Sequence, residues 1–181
     1  MSYSTLYVFR ANGQAERVQD FRNSHGSCAL VWRTLCETYK TKMYPDGRTP
    51  LFLQEWEDLW KMAPDLGLEW FEHNVLFWTY DNALIAGKSL PLMSASFRAF
   101  QQKYNDPQRV SHMIAFADCC DALAAEDPLP QAIGTYQTST SDNPWNVRFK
   151  EGDPEYAEME DRPYDLNRDT KHWYVDLLPP P

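Results

Sequence analysis

The segment "STLYVFRANGQAERVQDF" (residues 4–21) constrains the fold more than any other part of the chain. Its apolar residues Leu6 and Val8 alternate with Tyr7 and Phe9, which is the two-residue period of a β-strand. The Asn-Gly pair that follows is favoured in tight hairpin turns, and a second strand is predicted after it. An isolated hairpin is marginal in water, so other elements must cover its apolar face.

Apolar residues at helical spacing predict four helices after the hairpin. Pro64 and Gly67 are expected to end the second of them, and two strands are predicted around Asp81-Asn82. The order ββααββααβ gives, after the hairpin, helices over about 24–39 and 49–67, strands within 74–90, helices over about 90–104 and 108–125, and a strand over about 132–140. Hairpins favour an antiparallel sheet. The predicted fold class is therefore α+β, a single domain over residues 1–150 with helices packed on an antiparallel sheet.

Negative charge is concentrated at the carboxyl end of the chain. The formal net charge is −9, and residues 151–181 alone hold nine acidic against three basic side chains. This acidic C-terminal tail also contains prolines and interleaved aromatic residues, a composition that cannot form a core by itself. Such a charge disfavours direct binding to nucleic-acid phosphates and favours a basic partner surface.

No pattern in the sequence predicts a membrane span, a metal site or a cofactor. No apolar run approaches the roughly 20 residues that span a bilayer, and a secretory signal pattern is absent, so we expect a soluble, cytoplasmic protein. The histidines at 25, 73, 112 and 172 are scattered, and the four cysteines form no CxxC pair. We expect reduced cysteines and no bound metal.

Catalytic motifs are equally weak. The hydroxyl-rich stretch "TYQTSTSDNPW" (residues 135–145) has no glycine to build a phosphate loop or a nucleophile elbow, which predicts a strand and a turn. Acidic residues around Cys119-Cys120 are interpreted as a solvated helix face. The one enzymatic alternative is a small hydrolase or thiol-dependent transferase that uses Cys28, at a helix start, with His25.

Three segments resemble small accessory proteins encoded by bacteriophages and prophages. They are "TLYVFRANGQAERVQDFRNSHGSCALVW", "YDNALIAGKSLPLMSASFRAF" and "GTYQTSTSDNPW", and they lie within residues 4–147. The resemblance carries no catalytic motif and implies no site residues. It implies a compact, acidic, non-catalytic phage protein that acts in the cytoplasm of a host bacterial cell, such as an anti-CRISPR protein or another inhibitor of host machinery.

We therefore expect a non-enzymatic binding protein that inhibits a host nucleic-acid-handling complex, such as a CRISPR effector. Its partner would be a basic host protein or ribonucleoprotein, contacted by acids and rings of the tail and of the helix "QEWEDLW". The predicted contact residues are Tyr156, Glu158, Glu160, Asp161, Tyr164, Trp173, Tyr174, Glu55, Trp56 and Asp58. The tryptophans of that helix have two interpretations, as core anchors or with one of them at an interface. A variant of the hypothesis places the contact on the folded domain and leaves the tail to provide solubility.

Overall fold

The computed structural model describes residues 3–22, 28–48, 55–80, 83–104, 112–138, 146–147, 162–163, 166 and 172–181. Two β-strands open the chain and four helices follow before the next strand. The strands are β1 (Tyr3–Phe9), β2 (Ala15–Arg22), β3 (Ala83–Ala86), β4 (Ala132–Thr138), β5 (Asn146–Val147), β6 (Arg162–Pro163) and β7 (Trp173–Tyr174). The helices are α1 (Cys28–Thr38), α2 (Lys40–Met43), α3 (Glu55–Leu66), α4 (Trp70–Trp78), α5 (Leu90–Tyr104) and α6 (Met113–Ala124), with a 3₁₀ turn at Gly87–Ser89.

The main sheet has five strands in the order β2-β1-β4-β3-β7, which confirms the α+β fold class. Neighbouring strands from β2 to β3 are antiparallel, as predicted from the hairpin. The last pair, β3 with β7, is parallel. The sheet is therefore mixed, and the expectation of a purely antiparallel sheet was wrong because a distant segment adds a strand at its edge.

The N-terminal hairpin forms where its sequence pattern predicts it. Gly13 has φ 80° and donates its backbone N–H to the Arg10 carbonyl at 2.8 Å, so the turn uses the left-handed conformation that glycine tolerates. The pairing shifts between Leu6 and Tyr7, which face Gln19 and Arg17, so β2 carries one extra residue in a bulge.

The segment 74–80, predicted as a strand, belongs mainly to α4, and this prediction was wrong. Val75, Leu76 and Trp78 are all buried, so the helix has little polar face and its apolar run shows no clear 3.6-residue period. A short apolar run of this kind cannot be distinguished from a buried strand by periodicity alone. The second predicted helix also continues through Pro64 and ends at Leu66.

Both faces of the central strands are buried. Leu6 and Val8 of β1 face the helices and pack in one core with Leu35, Phe97 and others. Tyr7 and Phe9 face the other side, where they form a second core with three further residues, Leu84, Ala132 and Leu166. The helix layer thus covers only one face of the sheet.

Described parts of the acidic tail lie against the domain. Leu166 is buried in the second core, and its backbone N–H donates to the Gly13 carbonyl at 3.1 Å. Residues 172–178, which we call the strap, add β7 to the edge of the sheet. The predicted boundary after residue 150 therefore separates two stretches of chain that pack together at these points.

None of the described helices is long and apolar enough to cross a bilayer.

Gly87, the first residue of the 3₁₀ turn before α5, tests the packing between this turn and the residues that lead into β4. A Cβ added at Gly87 would lie 1.8 Å from the Pro130 carbonyl oxygen, so backbone must move. We expect Gly87→Ala to lower the free energy of unfolding by more than about 2 kcal/mol in urea denaturation. The control is Gly47→Ala, where φ is 75° but no atom lies within 4 Å; we expect a loss of about 1 kcal/mol. Equal losses would contradict the close approach at Gly87.

Candidate partner-binding surface

Aromatic side chains from α3, from α4 and the residues just after it, and from the strap meet at one place on the surface. We call this cluster, formed by Trp60, His73, Phe77, Tyr80 and Trp173, the Trp60 patch. The Trp60 ring lies 4.2 Å from Tyr80 in an edge-to-face arrangement, 5.4 Å from Phe77 and 5.8 Å from Trp173, between ring centroids. His73 packs on Phe77 at 4.5 Å. Trp60 nevertheless remains 41% exposed, which is unusual for the largest apolar side chain.

The helices place these rings at the margin of the core. On α3, Leu59, Ala63 and Leu66 point inward and are buried. Trp60 follows Leu59 directly, so its side chain is rotated by about 100° from the buried face. On α4, His73 and Phe77 are four residues apart and therefore share one face of the helix. The patch is thus a continuation of the core out to solvent.

The strap supplies the remaining ring. Trp173 pairs with Ala83 and Tyr174 with Leu84 in the parallel ladder, and the Val175 N–H donates to the Leu84 carbonyl at 2.9 Å. Trp173 packs against the helix-side core, and Val175, two residues on, is buried there. This two-residue spacing matches the alternation of a strand.

Trp173 and Tyr174, two neighbouring predicted contact residues, point to opposite sides of the strap. Trp173 belongs to the Trp60 patch, whereas Tyr174 stands on the opposite face of the strap, 45% exposed, with its ring near His172. Asp58 is half-buried and accepts a hydrogen bond from the Tyr44 hydroxyl at 2.8 Å, which ties α3 to the loop after α2. Seven predicted residues have side chains outside the described part of the chain: Glu55, Trp56, Tyr156, Glu158, Glu160, Asp161 and Tyr164.

Sequence reasoning missed most of the patch. His73 was read as a scattered histidine, and Phe77 fell in the segment wrongly predicted as a strand. For the tryptophans of α3 the sequence leaves two interpretations open, as core anchors or with one of them at an interface, and it does not single out Trp60. Its direct succession to Leu59 within "DLWKM" is the signal that could have identified it as a boundary position.

The enzymatic alternative receives no support from the described cysteines. Cys28 is the first residue of α1, as predicted, but its side chain and His25 lie outside the described part of the chain. Cys36 and Cys120 are buried and Cys119 is half-buried. Burial raises the pKa of the Cys119 and Cys120 thiols, so neither is an activated nucleophile.

A buried carboxylate, Glu72, is the other group that could suggest chemistry. It is fully buried and receives hydrogen bonds from Lys103 Nζ at 2.7 Å, from the hydroxyls of Tyr39 and Tyr104, and from the Glu69 backbone N–H at 2.9 Å. Burial alone would raise the pKa of Glu72, but these donors outweigh it and hold the pKa below its usual value. All its partners belong to α4, α5 and the turn after α1. Glu72 therefore joins elements of the fold, as a structural anion.

The Glu72 network makes a prediction about stability and pH. A carboxyl whose folded pKa is depressed contributes stability above its ordinary pKa of 4.5, and this contribution is lost as the pH falls through the folded value. We expect Glu72→Gln to lower the free energy of unfolding by roughly 3 kcal/mol at neutral pH, and the difference from wild type to shrink below pH 4.5. Urea denaturation across this range measures it. Glu69→Gln, at a carboxyl that is 52% exposed, is the control, with a loss under about 1 kcal/mol. A pH-independent difference would contradict the assignment.

An open groove of about 510 Å³ lies at the other end of the sheet, between the hairpin turn and the loop after α6. Arg10, Asn12, Glu126 and Leu129 are among its lining residues. The Arg10 guanidinium is already paired with Glu126 and, at 3.0 Å, with Glu16. The charged side chains Arg10 and Glu126 of the groove therefore already pair with one another.

Within the described residues, no group of three or more His, Cys, Asp or Glu side chains is placed to hold a metal ion.

No protein-family model, curated protein or solved structure matches the chain.

Proposed function

We propose that the chain is a non-enzymatic binding protein that contacts a positively charged protein partner through the Trp60 patch. The observation that carries the proposal is the exposed Trp60 ring held against Trp173 of the strap, in a chain with a net charge of −9. Exposed tryptophan clusters with ordered neighbours are characteristic of interface hot spots.

The rings of the patch are already immobilised by one another, which favours binding. Trp60 contacts Tyr80, Phe77 and Trp173, so little side-chain entropy is left to lose when a partner covers it. A lysine or arginine side chain over an exposed tryptophan face gains about 0.5–2 kcal/mol from the cation–π interaction. The same ring offers apolar area to the aliphatic stem of that side chain. The Trp60 ring can thus bind both the charged group and the aliphatic stem of a lysine or arginine of the partner.

Net charge supports the same partner class at longer range. A chain of −9 attracts basic surfaces and repels nucleic acid, and this steering mainly raises the association rate. In the more specific form of the proposal, carboxylates of the acidic tail occupy Lys/Arg positions that bind phosphate in a host nucleic-acid-handling complex such as a CRISPR effector. That form is supported by the tail's composition and by the resemblance to phage-encoded proteins.

The role of Trp60 is tested by its truncation. We expect Trp60→Ala to weaken binding of a labelled peptide of alternating arginine and glycine by roughly 10-fold or more, because a hot-spot ring is removed. Fluorescence anisotropy measures the affinity. The control is Ile114→Ala on α6, which removes an equally exposed apolar side chain (39%) away from the patch. Equal binding by Trp60→Ala and wild type would refute the proposed surface.

The contribution of the tail is tested by charge reversal. We expect replacement of Glu158, Glu160 and Asp161 by lysine to weaken peptide binding at low salt and to flatten its salt dependence, because screened long-range attraction is lost. The same titration at low and high salt measures both effects. Unchanged affinity at both salt concentrations would show that these carboxylates take no part in binding.

A further inference from the structure

We infer that Asn74 is the positioning residue of the Trp60 patch: its side chain clamps the strap and thereby holds Trp173 beside Trp60. This inference rests on the proposed function, since it concerns how the same surface is assembled. Asn74 does not need to touch the partner. It acts through the backbone of Leu178, at the far end of the strap.

The clamp is a matched pair of hydrogen bonds. The Asn74 Oδ1 accepts from the Leu178 backbone N–H at 2.8 Å, and the Asn74 Nδ2 donates to the Leu178 carbonyl at 2.9 Å. The second proton of Nδ2 goes to the Ser96 hydroxyl oxygen at 2.9 Å. A primary amide offers a donor and an acceptor side by side, so it pairs with a backbone unit as a neighbouring strand would. Here a side chain of α4 takes that role for Leu178, beyond the end of β7.

The Asn74 amide is enclosed by protein, so its hydrogen bonds must be made with protein groups. The residue is fully buried on α4, as is Ser96 on α5, whose hydroxyl donates to the Leu92 carbonyl at 2.8 Å. A buried amide without partners costs free energy, so the docked strap is the state that satisfies it. The neighbouring His73, a member of the patch, has its Nδ1 3.3 Å from the Asn74 Oδ1. The clamp and the patch therefore share adjacent residues of one helix.

Besides the clamp, the described contacts of the strap are a short backbone pairing with β3 and the packing of Trp173, Val175 and Leu177 on the helix-side core. The ladder with β3 covers two residue pairs, Val175 is its one buried side chain among residues 172–178, and Leu178 is 39% exposed. A segment with so few buried contacts opens locally at lower free energy than the whole domain unfolds. The two clamp bonds add to these contacts at the end of the strap, beyond the two residues that pair with β3. When the strap leaves, Trp173 leaves Trp60 and the patch loses one of its rings.

Two variants break the clamp from opposite sides. Asn74→Ala removes the amide from α4, and Leu178→Pro removes the N–H donor from the strap, at a residue outside the core. The matched control, Ser96→Ala, removes the third partner of Asn74 and leaves both bonds to Leu178 in place. Hydrogen exchange by mass spectrometry on a fragment covering residues 172–178 reports docking, and anisotropy with the arginine–glycine peptide reports binding. Urea denaturation reports global stability.

We expect both clamp variants to accelerate exchange of this fragment by roughly 10-fold or more and to weaken peptide binding by a factor comparable to that of Trp60→Ala. Exchange in α5 and α6 should stay close to wild type in the clamp variants. Ser96→Ala should leave the exchange of residues 172–178 close to wild type, because both bonds to Leu178 remain. Leu178→Pro keeps the test valid if Asn74→Ala lowers global stability.

The two proposals fail in different ways. If Trp60→Ala weakens binding while a clamp variant opens the strap and binds as wild type, the positioning role is refuted and the proposed surface stands. If neither clamp variant changes exchange of the strap, the clamp itself is refuted. If Trp60→Ala has no effect on binding, the proposed function fails, and with it the functional role assigned to Asn74.

Discussion

Burial of the central strands on both faces is the constraint on which the rest of the structure depends. Leu6 and Val8 face one core, whereas Tyr7 and Phe9 face another, so a helix layer on one side of the sheet is not enough. The second side requires a cover, and Leu166 shows that the carboxyl-terminal segment contributes to it. This explains why a segment too acidic to fold alone carries interleaved apolar residues: Leu166 helps to complete a core built by the rest of the chain.

The same return of the chain assembles the candidate site. After Leu166 the strap reaches the edge of the sheet, pairs with β3 and ends on the Asn74 amide. Along this path Trp173 is placed against Trp60, which α3 holds at the margin of the core. The strap covers a sheet edge that would otherwise be exposed, and in doing so it places Trp173 in the Trp60 patch, which is open to solvent. This ring cluster, in a strongly acidic chain, is the surface that we propose for a basic protein partner.

The sequence predicts those elements whose pattern is local. The hairpin follows from strict alternation and its Asn-Gly turn, and α1, α5 and α6 follow from apolar stripes at helical spacing. The prediction failed at α4, where Val75, Leu76 and Trp78 are all buried and no polar face marks the helix. Strand β7 was not predicted either. It has two residues and pairs with Ala83 and Leu84, far away in the chain, so it has no local sequence pattern. Trp173 was identified as a candidate contact from composition, but its meeting with Trp60 depends wholly on that long-range pairing.

The most direct test of the account is to observe the indole N–H signals of the full-length protein by NMR while the arginine–glycine peptide is added. The account predicts that the Trp60 and Trp173 signals shift together along one binding curve, while that of Trp78, enclosed between Phe97 and Phe116, stays in place. Shifts confined to other parts of the molecule, or a Trp60 signal that moves without Trp173, would contradict it.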